Sequence, residues 1–156
     1  ALHILSGVTE YNKTSISTYI SNLNFAVDNS KISILIEPLS EEQLSGYFLR
    51  TIDQAAAIID KIDHPRLKIM FDCYHIYKES GDLVKNFADH ADKIGHVRIA
   101  AAENRAEPFP GALNYSDILP EFKRLGYQGA FGCEYRPSGL TEGGLGWRDP
   151  FFKMEN

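Results

Sequence analysis

Four apolar, β-prone runs of this chain end on or carry a charged residue: ILIE at Glu37, KIMFD at Asp72, HVRIA with Arg98 inside it, and FGCE at Glu134. Near-continuous apolar runs suit parallel strands covered on both faces. Right-handed crossovers between such strands carry every C-terminal end to the same rim of the sheet. Charged residues brought there from several strands build a site in a (β/α) barrel, whereas structural charges scatter over helices and loops. The pattern predicts an α/β enzyme with its chemistry at one rim.

Amphipathic stretches separate the runs. Strands are predicted at 3–7 (HILSG), 32–37 (ISILIE), 67–72 (LKIMFD), 96–100 (HVRIA) and 130–134 (AFGCE), with helices near 14–28, 48–62, 81–93 and 115–125. Ile52, Ala55, Ala56, Ile59 and Ile62 form one helical stripe. Leu83, Val84, Phe87, Ala91 and Ile94 form another, and Leu119, Phe122 and Leu125 repeat the theme. Gly81-Asp82 and Asn114-Tyr115-Ser116 read as helix starts, Gly95 and Gly126 as C-terminal caps.

The 156 residues suffice for a single domain, 1–156. A closed barrel of this kind, however, has eight strands and usually about 250 residues. The fold class is therefore read as an incomplete TIM (β/α) barrel with about five parallel strands and flanking helices. An open arc leaves two unpaired edges and an apolar inner face, so further chain, an exchanged dimer or other homo-oligomer, or a more open sheet is required. A symmetric pair of arcs would bring about ten strands where eight close a barrel, so simple twofold completion is not the obvious solution.

The formal net charge of −5 and the lack of a Lys/Arg stripe argue against a nucleic-acid surface and leave a small molecule as the expected partner. No segment approaches the roughly 20 apolar residues of a membrane span, and ALHILSGVTE lacks a secretory signal pattern, so a cytoplasmic protein is expected. Cys73 and Cys133 each adjoin a strand-end carboxylate. A disulfide between them is conceivable, but reduced, partly buried thiols fit better.

The strand-end residues and their neighbours resemble the hydroxypyruvate isomerase family of the xylose isomerase-like TIM barrels. The resemblance is carried by ILIEPL (34–39), GYFL (46–49), QAAAII (54–59), LKIMFDCYH (67–75), GDL (81–83), IGHVRIA (94–100), Arg105 with Glu107-Pro108, Gly111 with LNY (113–115), GY (126–127), GCEYRP (132–137) and TEGGLGW (141–147). It runs from about residue 2 to 147 and is far more specific than any one short motif. It implies that HILSGV corresponds to the family's fourth strand, with the first three βα units absent from this sequence.

The family holds a divalent metal with two glutamates, an aspartate and a glutamine or histidine. The resemblance carries metal-ligand roles to Glu37, Asp72 and Glu134, and the fourth position falls on Arg98, which departs from the family pattern. Oxygen ligands suit Mg²⁺ or Mn²⁺. A guanidinium cannot ligate, competes with a cation beside it, and is expected to lower the pKa of Glu37 or Glu134.

The implied reaction interconverts hydroxypyruvate and tartronate semialdehyde through an enediol, with Glu37 and Glu134 as the acid–base pair and the metal as Lewis acid. His75 is a candidate for bonding a substrate oxygen or orienting a carboxylate, with a purely structural histidine as the alternative. Arg105 is a candidate for gripping the carboxylate of a small anionic sugar acid, with surface pairing to Glu103 or Glu107 as the alternative. Tyr135, Trp147 and the segment 139–147 read as a pocket wall or lid, or else as a surface turn. His3, His64, His90 and His96 are read as structural.

Two other functions stay open. Arg98 and the missing strands favour a non-catalytic partial-barrel relative that binds a partner chain or an anionic metabolite. A metal-dependent epimerase or endonuclease on the same scaffold is a third reading, the nuclease being disfavoured by the acidic balance and the shortage of ligand-spaced histidines.

Overall fold

A computed structural model describes residues 1–109 and 111–152. Among these, five strands form one parallel sheet in sequential order: β1 (Leu2–Ile4), β2 (Ile34–Ile36), β3 (Leu67–Asp72), β4 (Ile94–Ile99) and β5 (Phe131–Cys133). The helices between them are α1 (Lys13–Asp28), α2 (Ile52–Ile62), α3 (Cys73–Ser80), α4 (Leu83–His90) and α5 (Tyr115–Arg124), with α6 (Asp149–Phe152) beyond β5. Sequential order of parallel strands with a helix after each is half of a (β/α) barrel. Strands β1 and β5 are its edges.

Side-chain alternation divides the strands between two environments. Ile34, Ile36, Leu67, Ile69, Phe71, Val97 and Ile99 face the helices and join the main hydrophobic core, while Leu35 and Met70, equally buried, lie outside that cluster. Phe71 of β3, Phe87 of α4 and Phe122 of α5 fill its centre. The Phe87 and Phe122 rings stack at 4.1 Å, and each meets Phe71 edge-on at 5.4 and 5.5 Å. Tyrosine hydroxyls tie β4 into this layer: Tyr127 accepts from the Val97 N–H at 3.0 Å, and Tyr115 donates to the Ala100 carbonyl at 2.7 Å.

Helix starts follow the local chemistry. Asn12, Thr51, Asp72, Asp82 and Asn114 all cap helices with side-chain oxygens, Asn12 and Thr51 within reciprocal capping boxes with Ser15 and Gln54. The predicted helix at 48–62 therefore begins only at Ile52. Tyr47, Phe48 and Leu49 before it are buried in extended or turning chain. The predicted helix at 81–93 is α4 plus a 3₁₀ turn, Ala91–Lys93. Helix α3 was not predicted, because Cys73, Tyr74, His75 and Ile76 are all buried and show no helical stripe.

Gly126, at φ +102°, stands just past the C-cap of α5 as read. Gly95 is no cap: it is the second residue of β4, at a break in register where Ile69 pairs Ile94 but Met70 pairs His96. A Cβ on Gly95 would lie 2.6 Å from the Lys68 Cβ and 3.0 Å from the Leu35 Cδ2. Gly95→Ala is therefore expected to destabilise the chain by about 1–3 kcal/mol through overpacking. Urea unfolding measures this, and an unchanged midpoint would refute it.

Both cysteines are free thiols, Cys73 buried and Cys133 exposed. Among the described residues, no helix is long and apolar enough to cross a membrane.

Candidate functional site

The C-terminal rim of the sheet gathers four charged side chains. Glu37 follows β2, Asp72 ends β3, Arg98 lies in β4 opposite Asp72 on one side and Gly132 on the other, and Glu134 follows β5. Arg105, from the loop after β4, joins them. Arg98 Nη1 stands 2.6 Å from Glu134 Oε2 and 3.6 Å from Glu37 Oε1. Arg105 Nη2 stands 3.1 Å from the same Glu134 oxygen and 3.5 Å from Asp72 Oδ2. Three carboxylates and two guanidiniums thus alternate in the order Glu37, Arg98, Glu134, Arg105, Asp72.

Glu37 and Asp72 are only 3% and 1% exposed, whereas Glu134 is half exposed. Burial, reinforced by the Asp72 charge, pushes the Glu37 carboxyl up to about 8. The expected lowering by Arg98 is real but smaller than the desolvation that opposes it, so the net direction at Glu37 is reversed. Asp72 rises to about 6 for the same first reason, although Arg105 and the N–H groups of Tyr74 and His75 pull against it. Glu37 Oε1 has no hydrogen-bond partner, which leaves a buried acceptor aimed into the cluster.

His75 sits in the first turn of α3, almost fully buried. Its Nδ1 accepts the Ser40 backbone N–H at 3.3 Å and lies 3.1 Å from the Ser40 hydroxyl. A backbone N–H can only donate, so a neutral ring carries its proton on Nε2. Burial and the two arginines hold the ring neutral, with its pKa lowered to about 3. Nε2 has no protein partner, making His75 a hydrogen-bond donor presented to the site. Ser40 sets that tautomer and has no place in the sequence reading, since a lone serine after a strand carries no signal.

Glu37, Asp72 and His75 bring potential ligand atoms within 4.8 Å of one another, a group that could hold a metal ion. It differs from the predicted trio of Glu37, Asp72 and Glu134, because the two guanidiniums converge on Glu134.

Arg105 does not make the surface pairs considered for it. Glu103 accepts the Ala112 N–H, and Glu107 the N–H and hydroxyl of Ser138. Arg105 instead adopts φ 55°, an uncommon conformation for a residue with a Cβ, with its N–H on Ala101 O and its carbonyl accepting from Arg136 N. Its guanidinium lies over the Tyr74 ring at 5.3 Å.

His3, read as structural, belongs to the cluster. Its Nε2 lies 3.4 Å from Glu37 Oε2 without hydrogen-bond geometry, and burial lowers its pKa. The available signal was register: His3 pairs with Leu35, two residues before Glu37 on the same strand face. The segment 139–147, read as a pocket wall or lid or as a surface turn, runs from Glu142 as a 3₁₀ helix, Glu142–Arg148, that buries Trp147 in the hydrophobic core against Tyr135 and Phe151, and Trp147 also lines a cavity with Phe131 and Cys133.

The profile described as xylose isomerase-like TIM barrel matches residues 1–151. A protein named 2-oxo-tetronate isomerase from Cupriavidus necator is 39% identical over 138 residues, covering 86% of this chain and 53% of that protein. A hydroxypyruvate isomerase from Escherichia coli is 37% identical over 138 residues, with 86% and 54% covered. The solved structure of an AP endonuclease, family 2, from Brucella melitensis superimposes with a TM-score of 0.91 at 34% identity, over 96% of this chain and 60% of that one. The chain spans about half the length of the curated relatives it matches. Five sequential parallel strands with carboxylates at one rim, and a profile match over nearly the whole length, lead to one conclusion: the chain belongs to the xylose isomerase-like TIM barrel family.

Proposed function

We propose that this site isomerises a short sugar acid, interconverting hydroxypyruvate and tartronate semialdehyde or a close 2-oxo-tetronate analogue. The observation that carries the reading is a pair of glutamates in unlike surroundings at one rim. Glu37 is buried, which pushes its carboxyl up to about 8, while Glu134 is half exposed and clasped by two guanidiniums. Two carboxyl groups held differently are what an acid–base pair requires. The names of the two curated relatives agree with a substrate of this class.

In the forward direction Glu134 takes a proton from the hydroxymethyl carbon, and the released pair forms the carbon–carbon double bond of an enediolate as the carbonyl π pair moves onto its oxygen. Glu37 delivers a proton to the former carbonyl carbon, and the hydroxyl proton passes to the former carbonyl oxygen. Atoms balance, and solvent resets the two glutamates. In this reading the unpartnered Nε2–H of His75 donates to a substrate oxygen, and Arg105 holds the substrate carboxylate.

The Mg²⁺ or Mn²⁺ implied for Glu37, Asp72 and Glu134 does not fit these donors. A guanidinium nitrogen stands between Glu37 and Glu134, a second one binds Glu134, and the Ser40 N–H holds the His75 proton on the nitrogen that would have to ligate. No step is therefore routed through a metal.

Hydroxypyruvate incubated with the chain in D₂O is expected to gain deuterium at its hydroxymethyl carbon, read by NMR. Proton transfer to a solvent-equilibrated glutamate requires this exchange. The ion pairs made by Glu134 favour a second reading, a non-catalytic binder of an anionic metabolite. Hydroxypyruvate binding without any deuterium uptake would establish that reading and reject the isomerase.

A further inference from the structure

We infer that the guanidinium of Arg98 takes the place of a divalent cation, making this a metal-independent site for a small 2-oxo or 2-hydroxy carboxylate. Three observations support this. Arg98 reaches two carboxylates that follow different strands, Glu37 after β2 and Glu134 after β5, as a bridging ion would. Glu37 Oε1 is buried and lacks a hydrogen-bond partner, and Arg98 Nη1 stands 3.6 Å from it. Strand register places the Arg98 backbone between those of Asp72 and Gly132, and the side chain, only 24% exposed, is held by its pairs with Glu134 and Glu37.

Space acts against a cation at Glu134, and the two guanidiniums already offset two of the three carboxylate charges. A Mg²⁺ or Mn²⁺ ion sits about 2.1 Å from its oxygen ligands. Arg98 Nη1 occupies the approach to Glu134 Oε2 at 2.6 Å, so an ion on that side of the oxygen would overlap it. Three carboxylates and two guanidiniums leave a formal −1 when all are ionised, which an additional dication would carry to +1. Arg98 and Arg105 thus already supply most of the positive charge the carboxylates call for.

The consequence concerns what binds. A metal draws two oxygens of a substrate into its coordination shell, whereas a guanidinium presents N–H donors in one plane and pairs with a carboxylate or enediolate edge-on. With Arg98 on one flank and Arg105 on the other, the ligand of this rim is a compact monoanion with a carboxylate and an adjacent oxygen. The identity of that ligand rests on the isomerase reading; the exclusion of metal does not.

The test is a Mn²⁺ titration followed by the electron paramagnetic resonance signal of the free ion. It uses the chain, Arg98→Gln and Arg98→Lys, each checked for fold by circular dichroism. The native chain and Arg98→Lys should leave the signal unchanged, while Arg98→Gln should bind at least about 100-fold more tightly, because a like charge within a few ångströms has been removed. In parallel, hydroxypyruvate should bind the native chain equally well with and without EDTA, and bind Arg98→Gln at least about tenfold more weakly in EDTA.

Mn²⁺ binding by the native chain as tight as by Arg98→Gln would overturn the inference. So would failure of the folded Arg98→Gln variant to bind Mn²⁺, or loss of hydroxypyruvate binding by the native chain in EDTA. If Arg98→Gln does not fold, the native titration and its EDTA arm still decide. Exclusion of Mn²⁺ by the native chain together with absent deuterium exchange would uphold the role of Arg98 while rejecting the isomerase.

Discussion

Glu37→Gln is expected to lower turnover of hydroxypyruvate by about 10²- to 10⁴-fold, the usual contribution of a general acid or base. It should also flatten the dependence of stability on pH. The amide keeps the shape of the carboxylic acid and cannot exchange a proton, so the loss should fall on kcat more than on KM. The stability effect follows from burial. The Glu37 carboxyl titrates at about 8 in the folded chain against an ordinary 4.5, so between those values the folded state holds a proton that the unfolded state releases. The stabilisation is fully present below 4.5 and is lost as pH rises through 8.

Neighbouring groups define where this is read. Asp72, raised to about 6, acts in the same direction at lower pH, and His75, lowered to about 3, acts oppositely below its ordinary 6.5. His3 and His96, also lowered, contribute below that same value. Between pH 6.5 and 8 the slope therefore belongs mainly to Glu37, at up to about 1.4 kcal/mol per pH unit, or about 2 kcal/mol across the window. Urea unfolding at the two ends of that window should show the native chain losing stability and Glu37→Gln retaining it. Parallel pH profiles would show that Glu37 is not protonated in the folded state.

Phe122→Ala should cost about 3–5 kcal/mol, the largest stability effect expected from a single core truncation here. Phe122 is fully buried, stacks on Phe87 at 4.1 Å and meets Phe71 at 5.5 Å, so its removal empties the place where α5, α4 and β3 converge. Helix α5 carries Pro120 in its interior, which removes a backbone donor and increases its reliance on packing. Phe25→Ala is the control: that ring is 70% exposed, and its loss should change stability by less than about 0.5 kcal/mol. Equal effects of the two substitutions would place the core elsewhere.

Much of this was legible in the chain itself. Runs such as LKIMFD announce a buried parallel strand because every internal position but Lys68 is apolar, and β3 spans the same six residues as predicted. Strand ends also announced the rim, since a carboxylate after an apolar run needs a reason to be there. Helix α3 escaped notice because burial on all sides erases the periodicity on which helix prediction depends. Gly95 was misread for a related reason: a glycine after a helical stripe resembles a cap, and only the pairing of Ile94 and His96 with β3 shows that it belongs to a strand.

Residue order and residue chemistry thus settled the parallel half-barrel, the rim, and the identities of Glu37, Asp72, Arg98 and Glu134, because strand polarity and side-chain alternation are local properties that topology turns into position. Folding settled the partners and the protons. Arg105 reaches Asp72 and Glu134 rather than Glu103 or Glu107, His3 approaches Glu37, and a serine 35 positions away in sequence sets the tautomer of His75. These depend on distances of a few ångströms between segments far apart in the chain, and on how completely each group is removed from water. Neither quantity exists until the five strands have assembled and brought the carboxylates to one rim.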